Sequence, residues 1–285
     1  SWNTGATTSS IYVTPIITTN YTVTGTTTGC TNTKTLSVTV NPTPTVAVSS
    51  ATVCRGTVAN ITASGATTYS WNTGATTSSI SVTPTVTTNY TVTGTSTGCT
   101  NTKTLTVTVN ATPTVAATSK TICIGAAVTL TASGAATYSW NTGATTSSIS
   151  VTPTVATNYT VMGTNALGCT NTRTLSVTVN ALPNVASTSA TICAGATATI
   201  TASGASTYSW NTGATTANLT ASPVSNTSYT VTGTSAAGCV KTTTAMITVG
   251  SAPSISVNSS TICAGATATL AASGVTTYTW NTSSN

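Results

Sequence analysis

The 285-residue chain contains no Asp, Glu, His, Phe or Gln, and only six Lys or Arg. A globular domain ordinarily spends about a quarter of its residues on charge, whereas 2% are charged here. Without a carboxylate or an imidazole there is no general base of the usual kind, no Ser-His-Asp or Cys-His arrangement, no glycosidase carboxylate pair and no oxygen cage for calcium. The composition points to a protein that is not an enzyme, with no cofactor and no metal site. The six cations form no run, and a net charge of +6 over the whole chain displaces too few counterions to hold a nucleic acid. No apolar stretch approaches the roughly 20 residues of a membrane helix, so no membrane span is expected in this segment.

What replaces the missing residues is threonine, 82 of the 285. The chain is nevertheless 39% hydrophobic, which sets it apart from polar, highly charged sequences that stay disordered. The dominant signal is internal repetition. Trp2, Trp71, Trp140, Trp210 and Trp280 lie 69, 69, 70 and 70 residues apart. Pro44, Pro113, Pro183 and Pro253 keep the same beat in short stretches that read as stiff linkers, because Pro fixes its own φ and extends the residue before it. Boundaries at these prolines give a C-terminal part-repeat at 1–43, full repeats at 44–112, 113–182 and 183–252, and an N-terminal part-repeat at 253–285. The expectation is a window on a longer repetitive chain, or one unit of a filament in which the next copy completes the half-repeat.

Within a repeat the apolar residues alternate with Thr and Ser at period two, the mark of half-buried strands. In 44–112 the expected strands are Val46–Val53, Val58–Ala63, Tyr69–Trp71, Ile80–Val82, Tyr90–Val92 and Leu105–Val109. Threonine is β-branched and suits a pleated solvent face, so its abundance needs no separate function. Six or seven short strands per 70 residues predict an all-β tandem array of small Ig-like antiparallel β-sandwiches. Trp71 falls where such folds keep a core Trp on the third strand, and Tyr90 falls where a tyrosine corner would stand. Strand parity places both with the core aliphatics, against a sugar-binding platform.

The run Thr191-Ile192-Cys193-Ala194-Gly195, then Ile200-Thr201-Ala202-Ser203-Gly204, Tyr208-Ser209-Trp210-Asn211-Thr212-Gly213, Tyr229-Thr230-Val231-Thr232-Gly233 and Gly238-Cys239 resembles the tandem PKD-like and Ig-like repeats of very large secreted surface proteins of gliding bacteria of the Bacteroidota type. It is also similar to the repeats of SprB-type gliding adhesins. The resemblance implies an extracellular, cell-surface location and a part in adhesion. The family commonly carries Asp-Ala-Asn-Gly-Cys before its second cysteine. Here Ser96-Thr97-Gly98-Cys99 and Ala166-Leu167-Gly168-Cys169 stand instead.

Eight cysteines recur two per period, Cys54, Cys123, Cys193 and Cys263 in a Cys-x-Gly turn and Cys30, Cys99, Cys169 and Cys239 in a Gly-Cys turn. An even count at fixed spacing in small domains argues for disulfides and an oxidising compartment, and zinc lacks both a Cys-x-x-Cys and a His. In an Ig-like topology Cys54 and Cys99 lie at opposite ends of one sandwich, roughly 20 Å apart by strand length, beyond disulfide reach. That favours bridges between neighbouring repeats, Cys54–Cys169 and Cys123–Cys239, with Cys30 and Cys263 bonded outside the chain. The alternative closes one loop of about 45 residues within each repeat, Cys54–Cys99, Cys123–Cys169 and Cys193–Cys239, worth about 4 kcal/mol.

Asn-x-Ser/Thr sequons occur at Asn20, Asn60, Asn89, Asn110, Asn158, Asn218, Asn226, Asn258 and Asn281. With so much Thr, chance alone supplies many of them. Lys34, Lys103, Arg173 and Lys241 recur near the last strand and read as solubilising an edge. The functional expectation is a structural segment of an extracellular filament or adhesin stalk, disulfide-stapled, with neighbouring repeats or copies of the same protein as partners. The alternative is a surface-binding module that uses Thr rows or aromatics on polysaccharide or ice.

Overall fold

The computed structural model of the chain describes residues 1–281. The end of the part-repeat 253–285, with the Thr282 and Ser283 that complete the Asn281 sequon, lies outside the described residues. The chain divides into two compact units. One comprises Ser1–Ala117, Thr131–Ser147 and Thr160–Thr174, and the other comprises Thr118–Leu130, Ser148–Tyr159 and the described chain from Leu175 onward. All regular elements among the described residues are strands, and none of them is a helix long and apolar enough to cross a membrane.

The first unit opens with a hairpin of β1 (Thr19–Thr27) and β2 (Cys30–Val38). It continues with β3 (Ala47–Val48), β4 (Ala51–Cys54), β5 (Ala59–Ser64), β6 (Thr68–Trp71), β7 (Ser79–Val82), β8 (Thr88–Ser96) and β9 (Cys99–Asn110). These seven make two sheets of order β3-β5-β7 and β4-β9-β8-β6. All neighbours are antiparallel except β4 and β9, which run parallel. The strand that starts in one sheet and ends in the other, parallel to the last strand, together with the core Trp on the third strand position, makes this an Ig-like sandwich. The same orders recur over 116–180 and 186–250.

Period-two alternation builds the core. In β5 Ala59, Ile61 and Ala63 point inward while Asn60, Thr62 and Ser64 face solvent, as half-buried strands require. Ile61, Trp71, Val92, Leu105 and Val107 meet in one cluster, and Ile200, Trp210, Val231, Ala245 and Ile247 form its counterpart in the second unit. The buried Trp side chains are polar at one atom only, and that atom is satisfied: Nε1 of Trp71 donates to Thr77 O at 2.9 Å and that of Trp210 to Thr216 O at 3.0 Å.

Three local features differ from the sequence expectation. The single strand Val46–Val53 is two strands, because the chain changes sheets at Ser49-Ser50. At the matching crossovers Ser119 Oγ accepts from Ser176 N (3.0 Å) and Ser189 Oγ from Met246 N (3.1 Å), satisfying last-strand amides where the parallel pairing begins. The last two strands are longer than their apolar stretches, since pairing continues through threonines whose hydroxyls bond across strands, Thr91 to Thr104 at 3.1 Å and Thr93 to Thr102 at 3.0 Å. And the tyrosine hydroxyl that bonds backbone is not Tyr90, which is buried on β8, but Tyr69, which donates to Ala66 O (2.9 Å) and accepts from Ala66 N (3.0 Å).

Two glycines in each full repeat are fixed by close approach: a Cβ on Gly65, Gly134 or Gly204 would run into the backbone carbonyl of Thr45, Thr114 or Asn184, and the second glycine is crowded by side chains. A Cβ on Gly94 would meet Val46 Cγ2 at 2.5 Å and Ala66 Cβ at 2.7 Å, and Gly163 and Gly233 stand in the same relation to Val115 and Val185. The change of beat from 69 to 70 residues also has a place. β8 and β9 turn through Thr97-Gly98, both with positive φ, as a two-residue hairpin turn demands. The corresponding segments Asn165–Gly168 and Ser235–Gly238 are one step longer and close through a bond from Asn165 N to Cys169 O (3.0 Å) or Ser235 N to Cys239 O (2.8 Å).

Candidate functional site: the repeat junctions

Parallel pairing of β4 with the end of β9 decides where the first cysteine goes. Cys54 stands opposite Asn110, the last residue of β9, and the next amide, Arg55 N, donates to Asn110 O at 2.9 Å. Cys54 is thereby held where the chain leaves the repeat. Cys123 is held against Asn180 in the same way, with Ile124 N donating to Asn180 O at 2.9 Å.

The second cysteine arrives from the following repeat. Asn165 Oδ1 accepts from Leu167 N and Cys169 N, each at 3.0 Å, while its Nδ2 donates to Ala111 O at 2.8 Å. Two residues past Cys169, Asn171 Nδ2 donates to Pro113 O at 2.9 Å. The linker is thus gripped on both sides of Cys169, whose Sγ lies 4.0 Å from Asn110 O. With the sulfur in a bridge it has no proton to give, so this is packing and not a hydrogen bond.

Cys54 is bonded to Cys169 and Cys123 to Cys239, each with Cα atoms 5.6 Å apart, over separations of 115 and 116 residues. Because 54, 123, 169 and 239 alternate between the two bridges, the closed loops interleave. The bridges within a repeat are not formed. Cys54 and Cys99 flank the two ends of β9, 11 residues apart along a strand, or about 36 Å at 3.3 Å per residue, and Cys169 and Cys239 are already committed to preceding repeats. Cys30, Cys99, Cys193 and Cys263 carry free thiols.

Sequence reasoning missed the asparagines that hold the junction. The signal was an Asn two residues after the cysteine, at Asn32, Asn101 and Asn171. Asn101 Nδ2 grips Pro44 O at 2.9 Å, as Asn171 grips Pro113. In the third repeat that place is taken by Lys241, which pairs with Gly233, whereas Lys34 and Lys103 pair with Val23 and Val92. Lys241 therefore does not share the position of the other cations, and its arrival costs the junction a hydrogen bond.

Among the described residues no other cluster of reactive side chains forms. The described residues contain no group of three metal-ligating side chains. Trp71, Trp140 and Trp210 are buried and offer no platform to a sugar. The sequon residues Asn20, Asn60, Asn89, Asn158, Asn218, Asn226 and Asn258 are exposed and Asn110 is half-buried. Asn258 commits its amide to Thr269 O (3.1 Å) and accepts from Ala271 N (2.6 Å).

No family model matches the chain, and no curated protein matches it. Among solved structures it is similar to extracellular domains 3–5 of Drosophila OTK, at 12% identity over 70% of this chain and 94% of that one, with a TM-score of 0.31. A Ca2+-stabilised adhesin with which an Antarctic bacterium reaches out and binds ice aligns at 17% identity over 82% and 81%, TM-score 0.31. The I67–I69 fragment of the titin I-band aligns at 10% identity over 74% and 100%, TM-score 0.32. At these scores the likenesses carry no argument about what the chain does.

Proposed function

We propose that the chain is a structural segment of an extracellular filament or cell-surface adhesin stalk, with its repeats divided at 43/44, 112/113, 182/183 and 252/253, in the manner of SprB-type adhesin repeats. One observation carries this reading: each bridge joins a repeat to the next, and the two loops interleave. A disulfide inside one sandwich would stabilise that sandwich. A disulfide between sandwiches holds the linker under load, and at the Cys54–Cys169 junction it does so where Asn165 and Asn171 already grip the linker. Disulfides persist in oxidising compartments, which supports the extracellular assignment. Exposed sequons are candidate glycan attachment points in that setting, with Asn258 the poorest because its amide is engaged.

Pulling the chain by its two ends tests this. With both bridges intact, the shortest covalent route passes through both and leaves roughly half of the 285-residue contour locked, at about 3.6 Å per residue fully extended. Reduction should release the rest. Equal contour lengths in oxidising and reducing buffer would refute the load-bearing role. The surface-binding alternative draws on the exposed threonine rows of β8 and β9. Their hydroxyls already pair with one another, and a twisted sheet departs from a flat lattice. Retention of the chain on ice or on a polysaccharide resin would favour it.

A further inference from the structure

Repeat 113–182 carries a bridge at each end. Cys169 is bonded to Cys54 of the preceding repeat and Cys123 to Cys239 of the following one. The peptide chain itself enters at Pro113 and leaves after Asn180. Four covalent connections therefore reach this sandwich, and they fall into two pairs. Pro113 and Cys169 share one end, where Asn171 Nδ2 donates to Pro113 O at 2.9 Å. Cys123 and Asn180 share the other, where they stand opposite each other and Ile124 N donates to Asn180 O at 2.9 Å.

Two short stretches join the pairs. Residues 113–123 run through the sheet change into the strand Lys120–Cys123, and residues 169–180 hold the strand Thr170–Asn180. The two strands are parallel, with Lys120 opposite Val177 and Cys123 opposite Asn180, and Ser119 Oγ accepts from Ser176 N at 3.0 Å where the pairing begins. A strand advances about 3.3 Å per residue, within about a tenth of the roughly 3.6 Å of a fully extended chain. Strand of this kind is almost taut in the folded state. The 45 residues 124–168 are the opposite. They start beside Cys123, end beside Cys169 and are folded back on themselves through four strands, Val128–Ser133, Thr137–Trp140, Ser148–Val151 and Thr157–Thr164.

We propose that tension crosses this repeat on two covalent ties, 113–123 and 169–180, and that the four strands of 124–168 carry none of it. This rests on the reading of the chain as a load-bearing stalk and names the residues that bear the load. Without bridges, force would enter at Pro113 and leave at Asn180, dragging the two parallel strands in opposite directions, with only their ladder and the core to resist. The bridges anchor each strand at both ends. Both strands are then pulled alike, and the ladder between them is relieved of shear. The lines continue beyond the repeat. One follows 44–54, crosses the Cys54–Cys169 bridge and runs along 169–180 into the next linker. The other follows 99–110 and its linker, runs along 113–123 and crosses the Cys123–Cys239 bridge into 239–250. Each line takes the first strands of one repeat and the last strand of the next, which is why the closed loops interleave.

The test cuts the segment that should be idle. A recognition site for a sequence-specific protease is inserted between Thr154 and Val155, both exposed in the connection from Ser148–Val151 to Thr157–Thr164. A second version carries the site at the exposed Thr142, and thermal unfolding before cleavage confirms which versions are folded. Each is oxidised, cleaved and pulled by its two ends beside the uncut chain. The cut chain should follow the force–extension curve of the uncut one up to the first opening event, at unchanged force. After reduction the cut chain should part in two when this repeat opens. A folded version that, once cut, lengthens at lower force than the uncut oxidised chain would overturn the proposal, because load would then run through 124–168. If the uncut chain still locks half of its contour in that case, the stalk reading survives and only the assignment of the ties fails. Equal contours in oxidising and reducing buffer would refute the stalk reading itself, and the ties with it.

Discussion

Leu105 and Leu36 occupy the same step of the repeat, each in a Lys-Thr-Leu context and each opposite a tyrosine on the neighbouring strand, Tyr90 and Tyr21. One is buried and the other is largely open. The hairpins that carry them have the same register, so strand pairing is a local property that needs no second sheet. Burial is not local. It is supplied by the facing strands β3, β5 and β7 of 44–112; 1–43 has no segment matching β3 or β5, and its residues 10–13, which match β7, form no strand. The cysteines show the same division: Cys169 and Cys239 are bonded and buried, while Cys30 sits exposed as a thiol at the equivalent turn.

The contrast can be broken from several sides. Removing a formed bridge should cost most. Cys54→Ser with Cys169→Ser opens a loop of 115 residues, about 5 kcal/mol by loop-closure entropy, whereas Cys99→Ser in the monomer should cost next to nothing. Guanidinium unfolding of both variants checks this. Next, Trp71→Ala should lose about 3–5 kcal/mol from its repeat, while Trp280→Ala leaves the monomer unchanged. Equal losses would erase the distinction between closed and open halves. Gly94→Ala drives a methyl into Val46 and Ala66 and should cost about 1–3 kcal/mol, whereas Gly25→Ala, at the matching step but with open space around it, should be tolerated within about 0.5 kcal/mol. The smallest effect lies at the linkers. Asn171→Ala should lose about 1 kcal/mol, and Lys241→Asn should gain a similar amount by restoring the missing grip on the third junction, both read as hydrogen-exchange protection there.

The sequence made the sandwich legible because its alternation is strict where two sheets face each other, as at Ile61 and Ala63 or Leu105 and Val107. The alternation falls silent where pairing runs through polar residues, so the true lengths of β8 and β9 were hidden among threonines. The sheet change at Ser49-Ser50 was hidden for another reason: the apolar period carries through it, and only the serine hydroxyls mark the crossing. Topology alone was enough to separate Cys54 from Cys99 by the length of a strand. The junction asparagines were in plain view, but in a chain this polar an Asn that grips a linker carbonyl looks like any other surface residue. The absence of carboxylates also means that the junctions are held by neutral hydrogen bonds and covalent sulfur, interactions that salt and calcium hardly touch.

The central claim is that the staples run between repeats and not within them. Protease digestion of the oxidised monomer under non-reducing, acidic conditions, followed by mass spectrometry of the linked peptides, tests it most directly. The account predicts Cys54 linked to Cys169 and Cys123 linked to Cys239. A peptide linking Cys54 to Cys99, or Cys123 to Cys169, would contradict it.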